Sequence, residues 1–261
     1  MSKTEDPTPE SRRLTADEIF KAAVENARSE LQRSSQTLAF SGVAGGLTLG
    51  LSGLAVASIQ AMAGTSAWAD LVAHLMYPVG FIAVIIGRGQ LFTENTLYPV
   101  VLVLDERRHF FNTLRLWAVV FAANILGALL FAALAVKTEA VKPDIISHLV
   151  GIGHRAADGS MGSFFWSGMV GGWLIALVAW VVTASHWTIG QVAMIWLLTF
   201  VLGIGRFAHC IVTSSEILSA VLYGLVPAMG YIRWLVPATL GNIVGGVVMV
   251  SLLNYGQVKE Q

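Results

Sequence analysis

Two short segments hold most of the polar chemistry in an otherwise apolar chain: GRGQLFTENT, Gly87 to Thr96, and GRFAHCIVTSSE, Gly205 to Glu216. Each opens on a Gly-Arg step and runs into hydroxyls and a carboxylate, Thr93 and Glu94 in the first, Thr213 to Glu216 in the second. The second also carries His209, and an imidazole, with a reference pKa of about 6.5, can hand a proton to a weak-acid anion at neutral pH. Thr93 is placed to cap a helix that starts in the first segment, and Thr213-Ser-Ser-Glu216 has capping-box spacing for the second. The first-turn amides and dipole of such a helix form a positively polarised site that suits an anion. The plainer reading is that Thr93, Thr213, Glu94 and Glu216 only satisfy orphan amides and touch no substrate.

Arg88 and Arg206 need compensation, because a guanidinium at the centre of a membrane helix costs roughly 2.5 to 3.5 kcal/mol even on a lenient scale. Pairing with Glu94 and Glu216, within a half or crosswise, would lock the two segments. Alternatively each arginine faces a pore vestibule and concentrates anions there. The matching carboxylates favour locking. Other histidines offer less: His74 reads as packed or interfacial, and His109, His148, His154 and His186 fall in connections with no metal-ligand spacing. Ser214 or Ser215 with His209 as base is within reach on one segment, but there is no Gly-x-Ser-x-Gly elbow and no third orienting group, so an enzyme is not expected.

The elements that position these segments follow from composition. Of 261 residues 55% are hydrophobic and 12% charged, with a mean hydropathy of +0.69, which excludes an ordinary soluble domain. Lys plus Arg (16) balances Asp plus Glu (16), so no basic surface for nucleic acid is expected. The single cysteine, Cys210, excludes an internal disulfide and a thiolate-rich metal site, and no cofactor is expected. A span needs roughly 20 apolar residues. Six stretches qualify, near Thr37–Ala63, Leu71–Leu104, Leu116–Val136, Gly162–Ser185, Thr188–Leu225 and Trp234–Asn254. The second and fifth are too long and too polar inside to be single helices, so both are expected to break at membrane depth.

The chain also repeats itself. FSGVAGG (Phe40 to Gly46) recurs as WSGMVGG (Trp166 to Gly172), Gly87-Arg88 as Gly205-Arg206, and Asn124-Ile-Leu-Gly127 as Asn242-Ile-Val-Gly245, the last two pairs 118 residues apart. Three spans per copy is an odd number, so the second copy must enter the bilayer from the opposite side, and paired broken helices in such halves point to a midplane permeation site. The expected fold is therefore an all-α membrane protein with a 3+3 inverted repeat and broken second and fifth helices. Its divisions are a tail with an amphipathic helix (1–36), a first three-helix repeat (37–136), an external connection (137–160), a second repeat (161–255) and a short C-terminus (256–261). Gly42/Gly46 and Gly168/Gly172 have the small-xxx-small spacing of close helix packing. In the tail, Thr15 and Glu18 have capping-box spacing ahead of an apolar stripe from Ile19 to Leu31, whereas the residues before Thr15, with Pro7 and Pro9, read as irregular. Ten Lys and Arg fall on the side of the termini and four on the other, which predicts both termini in the cytoplasm of a multi-pass inner (plasma) membrane protein.

On the residues LFT with Thr93, FAHCIVTSS with His209, GNIVGG (Gly241 to Gly246) and SGVAGGLTLG, the chain resembles the formate/nitrite transporter family over about residues 30–255, in a YfdC-type branch. The resemblance implies an aquaporin-like fold, a homopentamer with one pore per protomer, and passage of small monovalent anions such as formate, nitrite or hydrosulfide. Carried over by position, Thr93 is the loop threonine, His209 the central histidine, and Asn242 the last-span asparagine near it. The constrictions fall near Tyr77, Phe81 and Leu202. Better-known members have Glu before the histidine and Asn four residues after it, where this chain has Ala208 and Thr213. Gly172 replaces an asparagine, and Arg88 and Arg206 stand where small or uncharged residues are usual. Two rivals are a neutral-solute channel, which lacks the Asn-Pro-Ala steps it would need, and a non-conducting scaffold on the same fold.

Overall fold

The computed structural model describes residues 13–259, and among these every regular element is helical. The segment around Pro7 and Pro9, and residues 260 and 261, lie outside the described residues. Five stretches are long and apolar enough to cross a membrane: Ser35–Ala63, Ala67–Ile86, Phe110–Lys137, Met161–Thr183 and Ala228–Val258. The fifth span is split into two shorter apolar helices, Thr188–Ile204 and Val212–Tyr223, and the second span is completed beyond its break by Tyr98–Glu106. Both expected interruptions are present.

Close backbone approach holds each half together. Helix α2 (Ser35–Ala63) lies along α6 (Phe110–Lys137), and α8 (Met161–Thr183) along α11 (Ala228–Gly246). A Cβ on Gly46 would sit 2.0 Å from the Asn124 carbonyl oxygen, and one on Gly172 2.1 Å from that of Asn242. A Cβ on Gly42 would meet Ala123 at 2.8 Å, and one on Gly168 the Ala238 carbonyl at 2.6 Å. Only hydrogen fits at these positions, so backbones touch where apolar side chains gain nothing over lipid. The repeat read from the sequence is thus a repeat of contacts.

The second span is more articulated than its sequence suggests. Helix α3 (Ala67–His74) turns through Leu75 to Pro78 into α4 (Val79–Ile86), and the Leu75 carbonyl at this turn accepts from Trp196 Nε1 at 3.0 Å. After the break comes α5 (Tyr98–Glu106). The connection 137–160 contains a helix that the sequence reading did not foresee, α7 (Pro143–Ala156), with Leu149, Val150 and Gly153 buried. It lies against α10 (Val212–Tyr223), which follows α9 (Thr188–Ile204), and it approaches so closely that a Cβ on Gly153 would be 2.0 Å from the Glu216 carbonyl. The last span passes through a π-helical stretch, Val247–Leu252, into α12 (Leu253–Lys259).

The tail helix α1 (Ala16–Gln32) starts on the expected capping box, Glu18 N–H donating to Thr15 Oγ1 and Thr15 N–H to Glu18 Oε2. Its stripe of Phe20, Ala23, Val24, Ala27 and Leu31 is buried against α5 and α12. Arg28 clamps it by donating to Glu106 at 2.8 Å, and Glu30 accepts from Gln90 Nε2 at 2.7 Å. Hydrogen bonds from Arg28 first, then Arg108, hold the Glu106 carboxyl down at about 2.

A carboxyl lowered on folding contributes above its unfolded value and loses that contribution only as pH falls through the folded one. Between about pH 5 and 8, above the ordinary carboxylate range, the Arg28–Glu106 clamp is therefore expected to hold, with protection of residues 16–32 from hydrogen exchange unchanged after correction for intrinsic rates. Arg28→Ala should lower that protection only modestly, because the buried stripe still holds the helix. Gly172→Ala forces α8 off α11 and is expected to cost about 1–3 kcal/mol as overpacking, read as a lower thermal midpoint or loss of the assembled protein.

Candidate functional site

The two breaks are built alike, residue for residue. In the first, Asn124 donates both amide hydrogens to backbone carbonyls, Gly42 at 2.7 Å and Gln90 at 2.8 Å, and its Oδ1 accepts from Phe92 N–H at 2.9 Å. In the second, Asn242 donates to Gly168 at 2.7 Å and Ala208 at 2.9 Å and accepts from Cys210 N–H at 2.8 Å. Ser41 Oγ accepts from Gln90 N–H, and Ser167 Oγ from Ala208 N–H. Each asparagine supplies the partners that a broken helix can no longer give its own backbone. Asn242, expected as a residue near the substrate, is buried with its amide fully used by backbone.

Arg88 and Arg206 do not lock the breaks as expected, and neither lies at a helix centre. Each follows the last residues of a half-helix in a left-handed conformation, φ 58° and 52°, with the next amide reaching back over the turn, Gly89 N–H to Val84 and Phe207 N–H to Leu202. A cation at a helix C-terminus complements the dipole. Both side chains are exposed. Arg206 pairs with Asp70 at 3.0 Å and not with Glu216, while among the described residues Arg88, Glu94 and Glu216 have no ion-pair partner within 4 Å. The asparagines took the locking role because an amide can both donate and accept, whereas an Arg–Glu pair would have to bury two charges.

At the centre, the breaks bring Thr93 and His209 together from 116 residues apart, Thr93 Oγ1 to His209 Nε2 at 2.8 Å, both fully buried. The tautomer follows from the other ring nitrogen. His209 Nδ1 accepts from the Ile211 and Val212 amides at 3.3 and 3.1 Å, so the proton sits on Nε2 and is donated to Thr93. The imidazole is the N-terminal cap of α10, a role the sequence assigned to Thr213. Thr213 Oγ1 instead accepts weakly from the His209 amide at 3.4 Å, and Thr93 caps no helix. Ser214 Oγ donates to the Cys210 carbonyl and Ser215 Oγ to that of Val212, so neither serine reaches the imidazole.

Of the three positions expected to constrict a path, Phe81 stands directly beside this pair. Phe81 is packed edge-on against the His209 ring with centroids 5.3 Å apart, Tyr77 is 5.9 Å from Phe81, and Leu202 is fully buried. Beyond them a cavity of about 270 Å³ is lined by Tyr77, Leu202, Thr213 and Glu216 at its inner end and by Asp70, Arg155 and Arg206 toward the surface. His209 does not line it, whereas Tyr77, packed on the Phe81 ring that touches the imidazole, does. His74, packed as expected, donates from Nδ1 to the Asp70 carbonyl at 2.7 Å.

Several supports of the first break leave no local signal in the sequence. Ser251, in the π-helical stretch, donates to the Thr96 carbonyl at 2.9 Å, Thr96 Oγ1 to that of Thr93 at 2.7 Å, and Trp117 Nε1 to that of Asn95 at 2.8 Å. Asn124 was visible as the repeat partner of Asn242, which was the one signal available. Among the described residues no group of His, Cys, Asp and Glu could hold a metal ion.

Comparison with known proteins agrees with this architecture. The family model described as formate/nitrite transporter matches residues 17–256. The inner membrane protein YfdC of Escherichia coli is 31% identical over 239 residues, covering 90% of this chain and 76% of that protein. A probable formate transporter of Methanothermobacter thermautotrophicus is 28% identical over 208 residues, covering 73% and 76%. A solved FNT family ion channel superposes with a TM-score of 0.82 at 18% identity over 93% of this chain and 99% of its own, and a pentameric formate channel with formate bound with 0.74 at 19% over 87% and 98%. The chain is a multi-pass, membrane-embedded protein of a transporter family rather than an enzyme family, and it belongs to the formate/nitrite transporters.

Proposed function

We propose that this protein passes small monovalent anions of the formate, nitrite or hydrosulfide class across the inner membrane, as a homopentamer with a pore in each protomer and both termini in the cytoplasm. The observation that carries the reading is the meeting of Thr93 and His209 at the junction of the two breaks, with Phe81 against the imidazole and Tyr77 against Phe81. The relatives include a probable formate transporter, and the superposed solved structures include a pentameric formate channel with formate bound.

A fixed polar pair in an apolar constriction suits a small solute that exchanges hydrogen bonds as it passes. With its ring oxygen-facing hydrogen bond accepted at Oγ1, the Thr93 hydroxyl retains its own hydrogen to offer an anion. His209 keeps one orientation because its Nδ1 caps α10, so Nε2–H always points to the same place. The aromatic rings close the path at rest, and rotation of Phe81 would join the cavity to the pair. Arg206 and Arg155 at the cavity mouth raise the local concentration of anions.

Uptake of labelled formate into proteoliposomes across pH, beside glycerol permeability, tests this reading: formate uptake above protein-free vesicles without glycerol flux is expected, and background uptake of formate, nitrite and hydrosulfide alike would refute it. His209→Asn can keep an oxygen at the capping position while removing the central N–H, so it should preserve assembly and lower uptake by about tenfold or more, equivalent to at least about 1.4 kcal/mol in the barrier. Thr93→Val leaves the Nε2–H buried without an acceptor, which should cost about 1–3 kcal/mol and lower the thermal midpoint, whereas Thr93→Ser should restore it.

A further inference from the structure

The cavity beside the constriction contains one group that the pairing of Thr93 with His209 does not use. Glu216 lies in the second turn of α10 with 5% of its surface exposed, lining the cavity next to Thr213 and Tyr77. Among the described residues its carboxyl makes no hydrogen bond and no ion pair within 4 Å. Room for it is provided by a glycine: a Cβ on Gly53 of α2 would lie 2.9 Å from Glu216 Cγ and 3.1 Å from its Oε1. An intramembrane carboxyl with no partner that faces a cavity is placed to exchange a proton with whatever occupies the cavity.

Such a proton is needed, and the central histidine is poorly placed to give it. The Nε2 hydrogen of His209 is committed to Thr93, and its Nδ1 lone pair to two backbone amides at the start of α10, so taking up a second proton would break the cap of that helix. Meanwhile a bare anion passing Tyr77, Phe81 and Leu202 would surrender its hydration to aromatic and aliphatic surface, a large cost for a charge and a small one for a neutral acid.

We propose that Glu216 protonates the solute at the threshold of the constriction. An anion drawn in past Arg155 and Arg206 takes the carboxyl proton onto its own basic atom; the O–H bond of Glu216 breaks and a bond from that proton to the solute forms. The neutral acid crosses the aromatic ring pair, and the Glu216 carboxylate regains a proton from water on the open side of the cavity. The step suits anions of small weak acids, such as short monocarboxylates, nitrite and hydrosulfide, and not anions of strong acids such as chloride or nitrate. This inference rests on the transport reading above and deepens it.

The charged and titratable groups that face Glu216 are Arg155 and Asp158 from α7 and its end, Asp70 and His74 from α3, Tyr77, and Arg206 from the second break; α2, α8 and α11 contribute only uncharged lining. Arg155 lines the same cavity from the last turn of α7.

The test is saturating uptake of labelled formate, nitrite and nitrate into proteoliposomes from about pH 4 to 8, across the ordinary carboxylate range. Wild type is expected to carry formate and nitrite with a sigmoid pH profile and to leave nitrate at background. Glu216→Gln should lower formate uptake about tenfold at neutral pH, about 1.4 kcal/mol, and converge on wild type in acid, where the solution itself supplies neutral acid. Arg155→Gln removes the cation that favours the carboxylate, so its profile should move to higher pH. A Glu216→Gln protein with the wild-type rate and midpoint overturns the inference while leaving anion transport standing, and nitrate uptake equal to that of formate does the same. If Glu216→Gln does not assemble, the Arg155→Gln profile decides, and an unmoved midpoint counts against Glu216. Background uptake by wild type would instead overturn the transport reading, and this inference with it.

Discussion

Backbone amides and carbonyls have no water to turn to in the interior of a bilayer, and the structure is arranged around that constraint. Continuous helices satisfy it by themselves, but a helix that breaks to make a polar site frees several groups at once. Asn124 and Asn242 repair the two breaks with the same three hydrogen bonds each, on the same relative positions of their halves. The glycines that let α2 reach α6 and α8 reach α11 serve the same end, because the asparagine carbonyl and side chain come close enough only where the facing residue has no Cβ. Packing and polar repair are one device used twice.

What distinguishes the halves is chemistry at the tip of each loop. Cys210 and Phe92 occupy matching positions, held through their amides, yet the residue next in the first loop is Thr93 while the residue before in the second is His209. Their side chains meet across the midline in a single hydrogen bond. Because the imidazole also caps α10, its position and tautomer are set by the fold and do not depend on a solute. A histidine so held is a fixed donor, whereas the Glu216 carboxyl in the neighbouring cavity has no such fixed partner among the described residues.

Charge is distributed by the same logic. The guanidinium groups of Arg88 and Arg206 end half-helices, where the dipole welcomes a cation, and their aliphatic stems carry them to exposed positions. Arg206 joins Asp70, itself held by Gln60 at 2.8 Å, in a network across the cavity mouth. At the other end of the molecule, α1 is tied to the first break through Glu30 and Gln90, with Gln90 in turn accepting from Asn95 at 3.0 Å.

The sequence by itself determined the membrane class, the two breaks and the internal repeat, since these depend on composition and on residue spacing along one chain. It also singled out Thr93 and His209, and family resemblance alone set the two together and put constrictions near Tyr77, Phe81 and Leu202. Tertiary structure decided the partners. Matching carboxylates suggested Arg88 with Glu94 and Arg206 with Glu216, but a positive φ turned each arginine outward, and the amide side chains of another helix reached the loops first. Capping was misassigned for a related reason: Thr213 has the right spacing in sequence, yet the imidazole two and three residues before the first helical amides lies nearer to them in space. Helix α7 and the support from Ser251 were invisible because each gains its meaning only from a surface contributed by a distant part of the chain. Local pattern specifies where a helix can break, and only packing across the molecule specifies what fills the break.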